Sequence, residues 1–283
     1  MDFPVKGGVG VITGAASGIG AALAINLAGR GMNLAIVDRN AAGLAATAAT
    51  ARGHGVNVSE HVLDVTDTDA VDALPEAVLA EHGRVSLLVN NAGVALIGTF
   101  DEVSLSDFAW VMEVNFWGPV RLTRAFMYAL KREEAAHMVN ISSVFGIIGP
   151  PGNVAYAASK FALRGFSEAL RHELIGSNIT LTVVHPGGVR TSVADSARIS
   201  QGIDPEQARV ATAEFNKLLR TQPAEAAEQI ARAVTKRSGR LLIGGDARMI
   251  DRIQRLFPTT YWKRIARDRT NVATAITGNK DVS

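Results

Sequence analysis

The sequence predicts a doubly wound α/β fold, a parallel sheet covered by helices on both faces, and three observations predict it. Short apolar runs alternate with segments of helical period along most of the chain. The runs are rich in Val, Ile and Leu without polar alternation, as strands buried on both faces require. A glycine cluster follows the first run directly, where a strand must turn into a helix. At 283 residues the chain fits a single three-layer αβα domain.

The elements follow in order. VGVIT is the first strand and residues 21–30 the first helix; NLAIVD, ending at Asp38, is the second strand, followed by a helix over 41–52. VSEHVLDV closes around Asp64 and Val65, a helix spans 67–82, and VSLLVNNAG ends in Asn91, Ala92 and Gly93. A long helix is expected over 104–131, then the strand HMVNISS, a helix over 154–175 and the strand NITLTVVHPGG. From 190 to 222 the rhythm breaks around one candidate helix at 205–219, and so long an excursion from a compact domain reads as a substrate lid. Pro223 opens a helix to about 236, the strand RLLIGG follows, and residues 246–283 form a C-terminal extension.

Composition removes several function classes. With 47% hydrophobic residues and a formal charge of +2 the chain is that of a folded globule, and the absence of cysteine rules out disulfides, thiolate nucleophiles and cysteine-bound metals. Its six histidines lack metal-ligand spacing, so no metal is expected; His185, before a proline at a strand end, reads as structural. Without a leader pattern or an apolar run of about 18 residues the protein is expected to be soluble and cytoplasmic. The chain from Lys236 onward is basic, but its charges interleave with apolar residues as on a solvated helix face, and no nucleic-acid partner is expected. ARMIDRIQRLFPTTYWKRIARDR offers two further readings, contact with a membrane surface or packing over the substrate pocket or a neighbouring subunit; Pro258 interrupts any continuous amphipathic helix there.

The run Gly14-Ala15-Ala16-Ser17-Gly18-Ile19-Gly20 carries the first chemistry. Glycines let backbone N–H groups at a helix N-terminus approach an anion, so Gly14, Ser17, Gly18, Ile19 and Gly20 are candidates to hold a diphosphate. A tight turn without a ligand is the plainer alternative. Asp38, about 20 residues on, can accept both hydroxyls of an adenosine ribose and would repel a 2′-phosphate, which favours NAD over NADP. Arg39 leaves NADP open, because a guanidinium there could pair with that phosphate.

Tyr156 and Lys160 are four apart in AYAASKFALRGF and share one face of a helix. A free phenol has a pKa of about 10, and a neighbouring ammonium would stabilise the phenolate and make it a usable base. Ser143, closing its strand, can donate to a substrate oxygen. Taken singly, the three could be a packing tyrosine, a solvated lysine and a cap serine.

Together, TGAASGIG, NNAG, Asn115, Ser143, YAASK and PGGVRT stand in the order and spacing of the short-chain dehydrogenases/reductases, with 13 residues from Ser143 to Tyr156 and four more to Lys160. The chain resembles that family over about residues 7–192 and the final strand. The resemblance implies a Rossmann-like fold and an NAD(P)-dependent oxidoreductase. It implies that Tyr156 exchanges a proton with the substrate, Lys160 binds the nicotinamide ribose and lowers the tyrosine pKa, Ser143 orients the substrate, and Asn115 holds a water in a relay to Lys160. For Asn115 alone, a polar residue bending its helix is the other reading. The resemblance further implies that Asp64 and Val65 meet the adenine, that Asn91, Ala92 and Gly93 line the ribose side, and that Pro186, Gly187, Val189 and Thr191 form the nicotinamide-side loop. It also implies a homodimer or homotetramer built on the helices of Asn115 and Tyr156, where Phe116, Trp117, Phe126 and Met127 could be ordinary core or an oligomer face.

Val144, Phe145, Ile147, Ile148 and Val154 flank the serine, so the expected substrate is a hydrophobic secondary alcohol or ketone. Two other readings stand beside it, an NADPH-dependent reductase of a lipid-like or acyl-carrier ketone and a non-catalytic NAD(P)-binding scaffold. A scaffold has no chemical need of Ser143, Tyr156 and Lys160 together.

Overall fold

Val9–Thr13 (β1) buries five residues in succession, which only a strand covered on both faces can satisfy, and it lies inside the sheet, third of seven strands. The structure, a computed structural model, describes residues 2–191, 197–200 and 219–267. The other main strands are β2 (Asn33–Asp38), β3 (Val58–Val62), β4 (Leu87–Asn90), β6 (Ala136–Ile141), β7 (Ile179–Pro186) and β9 (Arg240–Ile243). Among the described residues these seven strands form one parallel sheet in the order β3-β2-β1-β4-β6-β7-β9. The order reverses between β1 and β4, and the crevice beyond their carboxyl ends is where such sheets bind ligands.

Two helical layers cover the sheet. Leu23 and Leu27 of α1 (Gly18–Gly29), Leu44 and Ala48 of α2 (Ala41–Arg52) and Ile230 and Val234 of α7 (Pro223–Thr235) form one apolar cluster against Ile12, Leu34 and Ile36. On the other face Val71 and Val78 of α3 (Thr68–His82) and Leu122, Phe126 and Leu130 of α5 (Gly118–Lys131) pack on Val11, Leu88 and Met138. Local signals set the ends: Ser104 Oγ accepts from Asp107 N at 3.0 Å to start α4 (Leu105–Met112), and Gln222 and Glu225 form a capping box before Pro223.

Three expectations need correction. The helix expected over 104–131 is two helices, α4 and α5, joined by a π-helical turn at Glu113–Trp117 that contains Asn115. β3 stops at Val62, short of Asp64, and carries Ser59, Glu60 and His61 in succession, which its place at the sheet edge tolerates; Val62 is 63% exposed. The described residues of the break at 190–222 include a short strand, β8 (Arg198–Ile199), parallel to β5 (Leu96–Ile97). The helix expected over 205–219 lies, apart from Leu219, outside the described residues.

The chain reaches the site through α6 (Val154–Glu173), then beyond β9 through α8 (Gly245–Leu256) and α9 (Tyr261–Arg267), which break around Pro258 as expected. Ala247, Ile250 and Ile265 of these last helices bury against Val144, Ile147 and Ile148, with Tyr261 and Trp262 beside them. Tyr261 and Trp262 of the basic stretch are thus spent on the protein's own interior, whereas Phe257 is exposed and Arg248, Arg252 and Lys263 face outward. Among the described residues no helix is long and apolar enough to cross a membrane.

Candidate active site

A cleft of about 680 Å³ opens at the carboxyl ends of β1, β2, β4, β6 and β7. Its walls include Gly14, Ser17, Gly18, Ile19, Asp38, Arg39, Asp64, Val65, Asn91, Ala92, Gly93, Ser143, Tyr156, Lys160, Pro186, Gly187, Val189 and Thr191. Gly20 and Asn115 support it from behind. The sheet therefore brings nearly all the candidate residues to one cavity.

The loop from β1 to α1 is a cradle that side chains would fill. Gly14 has a positive φ of 66°, and a Cβ there would lie 2.7 Å from Asn91 Nδ2 and 2.8 Å from Ala92 Cα. At Gly20 a Cβ would meet the Gly14 carbonyl oxygen at 2.1 Å, so the loop folds tightly onto the first turn of α1. Asn91 Nδ2 braces it by donating to the carbonyls of Thr13 and Gly14 at 2.9 and 3.1 Å, and Thr13 Oγ1 accepts from the N–H groups of Asn91 and Ala92. Backbone exposed at a helix N-terminus, with no side chains in the way, fits a diphosphate.

Beyond the loop, Asp38 Oδ2 accepts from Ala16 N at 3.0 Å and Oδ1 from Asn40 N at 2.9 Å. Each carboxylate oxygen has a second lone pair, so capacity for ribose hydroxyls remains. Arg39 leans the other way, its Nη1 3.9 Å from Asp64 Oδ2, and its side chain is 65% exposed. Asp64 Oδ1 accepts from both N and Oγ1 of Thr66, which fixes the turn carrying Val65 into the wall.

The proton-transfer candidates are bolted between β6 and α6. Lys160 Nζ donates to the Ile141 carbonyl at 3.1 Å, and Ser142 Oγ donates to the Lys160 carbonyl at 3.0 Å. Ser143 Oγ accepts from Phe145 N at 3.1 Å, so the serine does cap the following turn, and it also shares a hydrogen bond with Tyr156. The Phe145 ring meets the Tyr156 ring edge-on, with centroids 6.0 Å apart. His185 Nδ1 lies 3.0 Å from the Ser143 carbonyl, which places this buried imidazole in a structural role under the serine.

Electrostatics differ from the simple expectation for Tyr156. Burial raises the phenol above its ordinary value of 10, and the Ser143 hydrogen bond opposes this only in part. The expected depression by the neighbouring ammonium does not dominate, because Lys160 is itself desolvated and its pKa falls to about 8. In this arrangement the ammonium spends a donor on a backbone carbonyl.

Asn115 is fully buried and ties two layers together. Its Oδ1 accepts from Val94 N at 2.9 Å, and its Nδ2 donates to the Val94 carbonyl at 2.9 Å and to Ser159 Oγ at 3.0 Å. The side chain is thus engaged, and it sits in the π-helical turn between α4 and α5. A Cβ on Gly93 would lie 3.1 Å from Asn115 Oδ1 and 3.3 Å from Lys160 Nζ, so these three residues converge. Nearby, Phe126 is fully buried core, whereas Trp117 is 43% exposed and stacks edge-on with Phe116.

Opposite the phosphate cradle, a Cβ on Gly18 would touch the Thr191 side chain at 3.2 Å, so the 186–191 loop closes over the first helix. Trp110, Ile148, Ile250, Trp262 and Ile265 complete an apolar end of the cleft, and Asp246 stands beside Gly187 and Gly188. Sequence reading assigned no site role to Asp246 or Ile250. Both come from a helix far along the chain, and the GGD step before α8 was the only local signal.

A sequence model of the short chain dehydrogenases matches residues 9–204. The SadH protein of Mycobacterium tuberculosis is 40% identical over 265 residues, covering 92% of this chain and 95% of its own. D-threitol dehydrogenase of Mycolicibacterium smegmatis is 36% identical over 197 residues, covering 70% of this chain and 76% of its own. The crystal structure of a short chain dehydrogenase/reductase from Burkholderia phymatum in complex with NAD superposes with a TM-score of 0.81 at 32% identity, over 90% of this chain and 95% of that one.

Proposed function

Since the chain belongs to the short-chain dehydrogenase/reductase family and is an NAD(P)-dependent oxidoreductase, we propose that it interconverts a hydrophobic secondary alcohol and its ketone, with Tyr156 as the acid/base. The observation that carries this reading is the convergence of Tyr156, Ser143 and Lys160 on a cavity whose far end is apolar. The bound nicotinamide would supply the carbon that gives or takes hydride. The Gly14 to Gly20 loop would hold its diphosphate, Asp38 the adenosine ribose, Asp64 and Val65 the adenine, and the 186–191 loop the nicotinamide side.

Tyr156 would hand its proton to the substrate oxygen in reduction and take it back in oxidation. Ser143 already shares a hydrogen bond with the phenol and would hold the same oxygen. Lys160 would keep positive charge near the phenol, opposing the burial that favours its neutral form. Asn115 would act by holding Val94 and Ser159, so that Gly93 and α6 keep their spacing.

Trp110, Phe145, Ile148, Ile250 and Ile265 support an apolar substrate rather than a small polyol such as the D-threitol for which one relative is named. Arg39 favours a second reading, an NADPH-dependent ketone reductase, because its exposed guanidinium borders the cleft beside Asp38. Screening secondary alcohols and ketones of graded polarity with NAD and NADP, following the absorbance of reduced nicotinamide, tests both. Turnover of apolar substrates with NAD is expected, and a polyol or sugar acid as best substrate would overturn the assignment.

A further inference from the structure

Resting on the dinucleotide-binding reading above, we infer that Asp246 is a positioning residue that holds the 186–191 loop in the conformation that receives nicotinamide. It stands in the first turn of α8, beyond the segment matched by the family model, and its Oδ2 accepts from Gly188 N at 2.7 Å. A carboxylate in that place has an ordinary explanation, favourable charge at a helix N-terminus. Two observations go further. The carboxylate reaches out of its own helix to accept from the loop amide of Gly188. The space around the carboxylate is also made by glycines from both sides: a Cβ on Gly187 would lie 2.3 and 2.4 Å from its two oxygens, and a Cβ on Gly244 2.3 Å from Oδ1.

The rest of the loop is held by backbone bonds and by Arg190 Nε, which donates to the Leu219 carbonyl at 2.8 Å. Gly187 N donates to the Ile243 carbonyl at 2.9 Å, Thr221 N to the Gly188 carbonyl at 3.0 Å and Arg190 N to the Thr221 carbonyl at 2.9 Å. Asp246 adds a charged acceptor at the apex of this turn, which directs the backbone leading to Val189 and Thr191. The same helix carries Ile250 into the apolar end of the cleft, so α8 serves both ends of the reaction site.

The test separates the nicotinamide end from the rest of the dinucleotide. Calorimetric titration with NAD and with ADP-ribose, which lacks the nicotinamide, is made on wild type, Asp246→Ala and Asp246→Asn. Asp246→Ala is expected to weaken NAD about ten-fold or more while leaving ADP-ribose within about three-fold, as the loss of a charged hydrogen bond confined to one end requires. Asp246→Asn keeps an acceptor oxygen and is expected to restore NAD binding to within about three-fold of wild type. Equal weakening of both probes, no weakening of either, or an Asn variant as poor as Ala would overturn the inference. Should Asp246→Ala not fold, Gly187→Ala gives the same reading, since its methyl would displace the carboxylate; unchanged NAD affinity there would also overturn it. Wild-type protein that binds neither probe would overturn the dinucleotide reading itself, a result distinct from any of these.

Discussion

Lys160 Nζ lies 5.7 Å from the centre of the Tyr156 ring while it donates to the Ile141 carbonyl at 3.1 Å. The lysine is 4% exposed and burial brings its pKa down to about 8, so the folded chain holds a charge that desolvation opposes. Lys160→Met should therefore stabilise the fold by about 1–2 kcal/mol, the relief of a buried charge less the lost carbonyl bond, while turnover falls sharply. The pH dependence gives the sign: between about 8 and 10.5 the unfolded chain binds the extra proton, so wild-type stability from this group rises with pH in that window. Denaturant midpoints of wild type and Lys160→Met across that range should converge as pH rises, and a less stable variant at pH 7 would refute the reading.

Tyr156→Phe keeps the ring that meets Phe145 and removes only the hydroxyl shared with Ser143. Turnover should drop by about a thousand-fold or more, within the range of general acid–base contributions, with NAD affinity nearly unchanged. Paired steady-state and calorimetric measurements check it; wild-type turnover would remove Tyr156 from the chemistry.

Asp38→Ala removes a carboxylate that accepts from Ala16 N and Asn40 N as well as facing the cleft. Affinity for NAD should fall about ten-fold or more and the preference should move toward NADP, with Arg39 left beside the ribose site. The ratio of kcat/KM for the two cofactors reads this directly, and an unchanged ratio would dismiss the carboxylate as its cause.

His137 and His185 should make the fold sensitive to acid. His137 is buried between Thr180 and Thr182 with its pKa lowered by burial to about 3, and His185 is lowered by burial to about 4. Below about pH 6.5 the unfolded chain protonates both while the folded chain stays neutral, so stability present above 6.5 is lost as pH falls. The slope is about 1.4 kcal/mol per pH unit for each histidine until its folded pKa is reached. Chemical denaturation at pH 7, 6 and 5 should show this fall, and His137→Gln should flatten it; a flat wild-type profile would contradict both assignments.

Much of this was legible in the chain because the signals are local. Continuous apolar runs marked the parallel strands, Pro223 and Pro258 marked a start and a break, and the step from Ser143 to Lys160 predicted residues that meet in one cavity. What was not legible depends on tertiary burial or distant partners. The raised phenol of Tyr156 follows from desolvation that no spacing reveals, and Asp246 gains its meaning only where α8 meets Gly188. β3 was read as longer than it is because its edge position, which tolerates polar residues, is a property of the sheet and not of the segment.

The turn at Glu113–Trp117 has a consequence for how the chain tolerates change. A π-helical turn holds about one residue more than an α-helical one, and each residue corresponds to about 100° of rotation. That offset lets α4 face α6 and Trp110 face the cleft, while Leu122, Phe126 and Leu130 of α5 still aim at the sheet. Loss of a single residue from α4 or α5 would swing that helix's faces by about 100°, whereas loss of one within Glu113–Trp117 would be taken up as the turn closes to α-helical geometry with both faces kept. A one-codon deletion is therefore severe in either helix and absorbed in the turn between them.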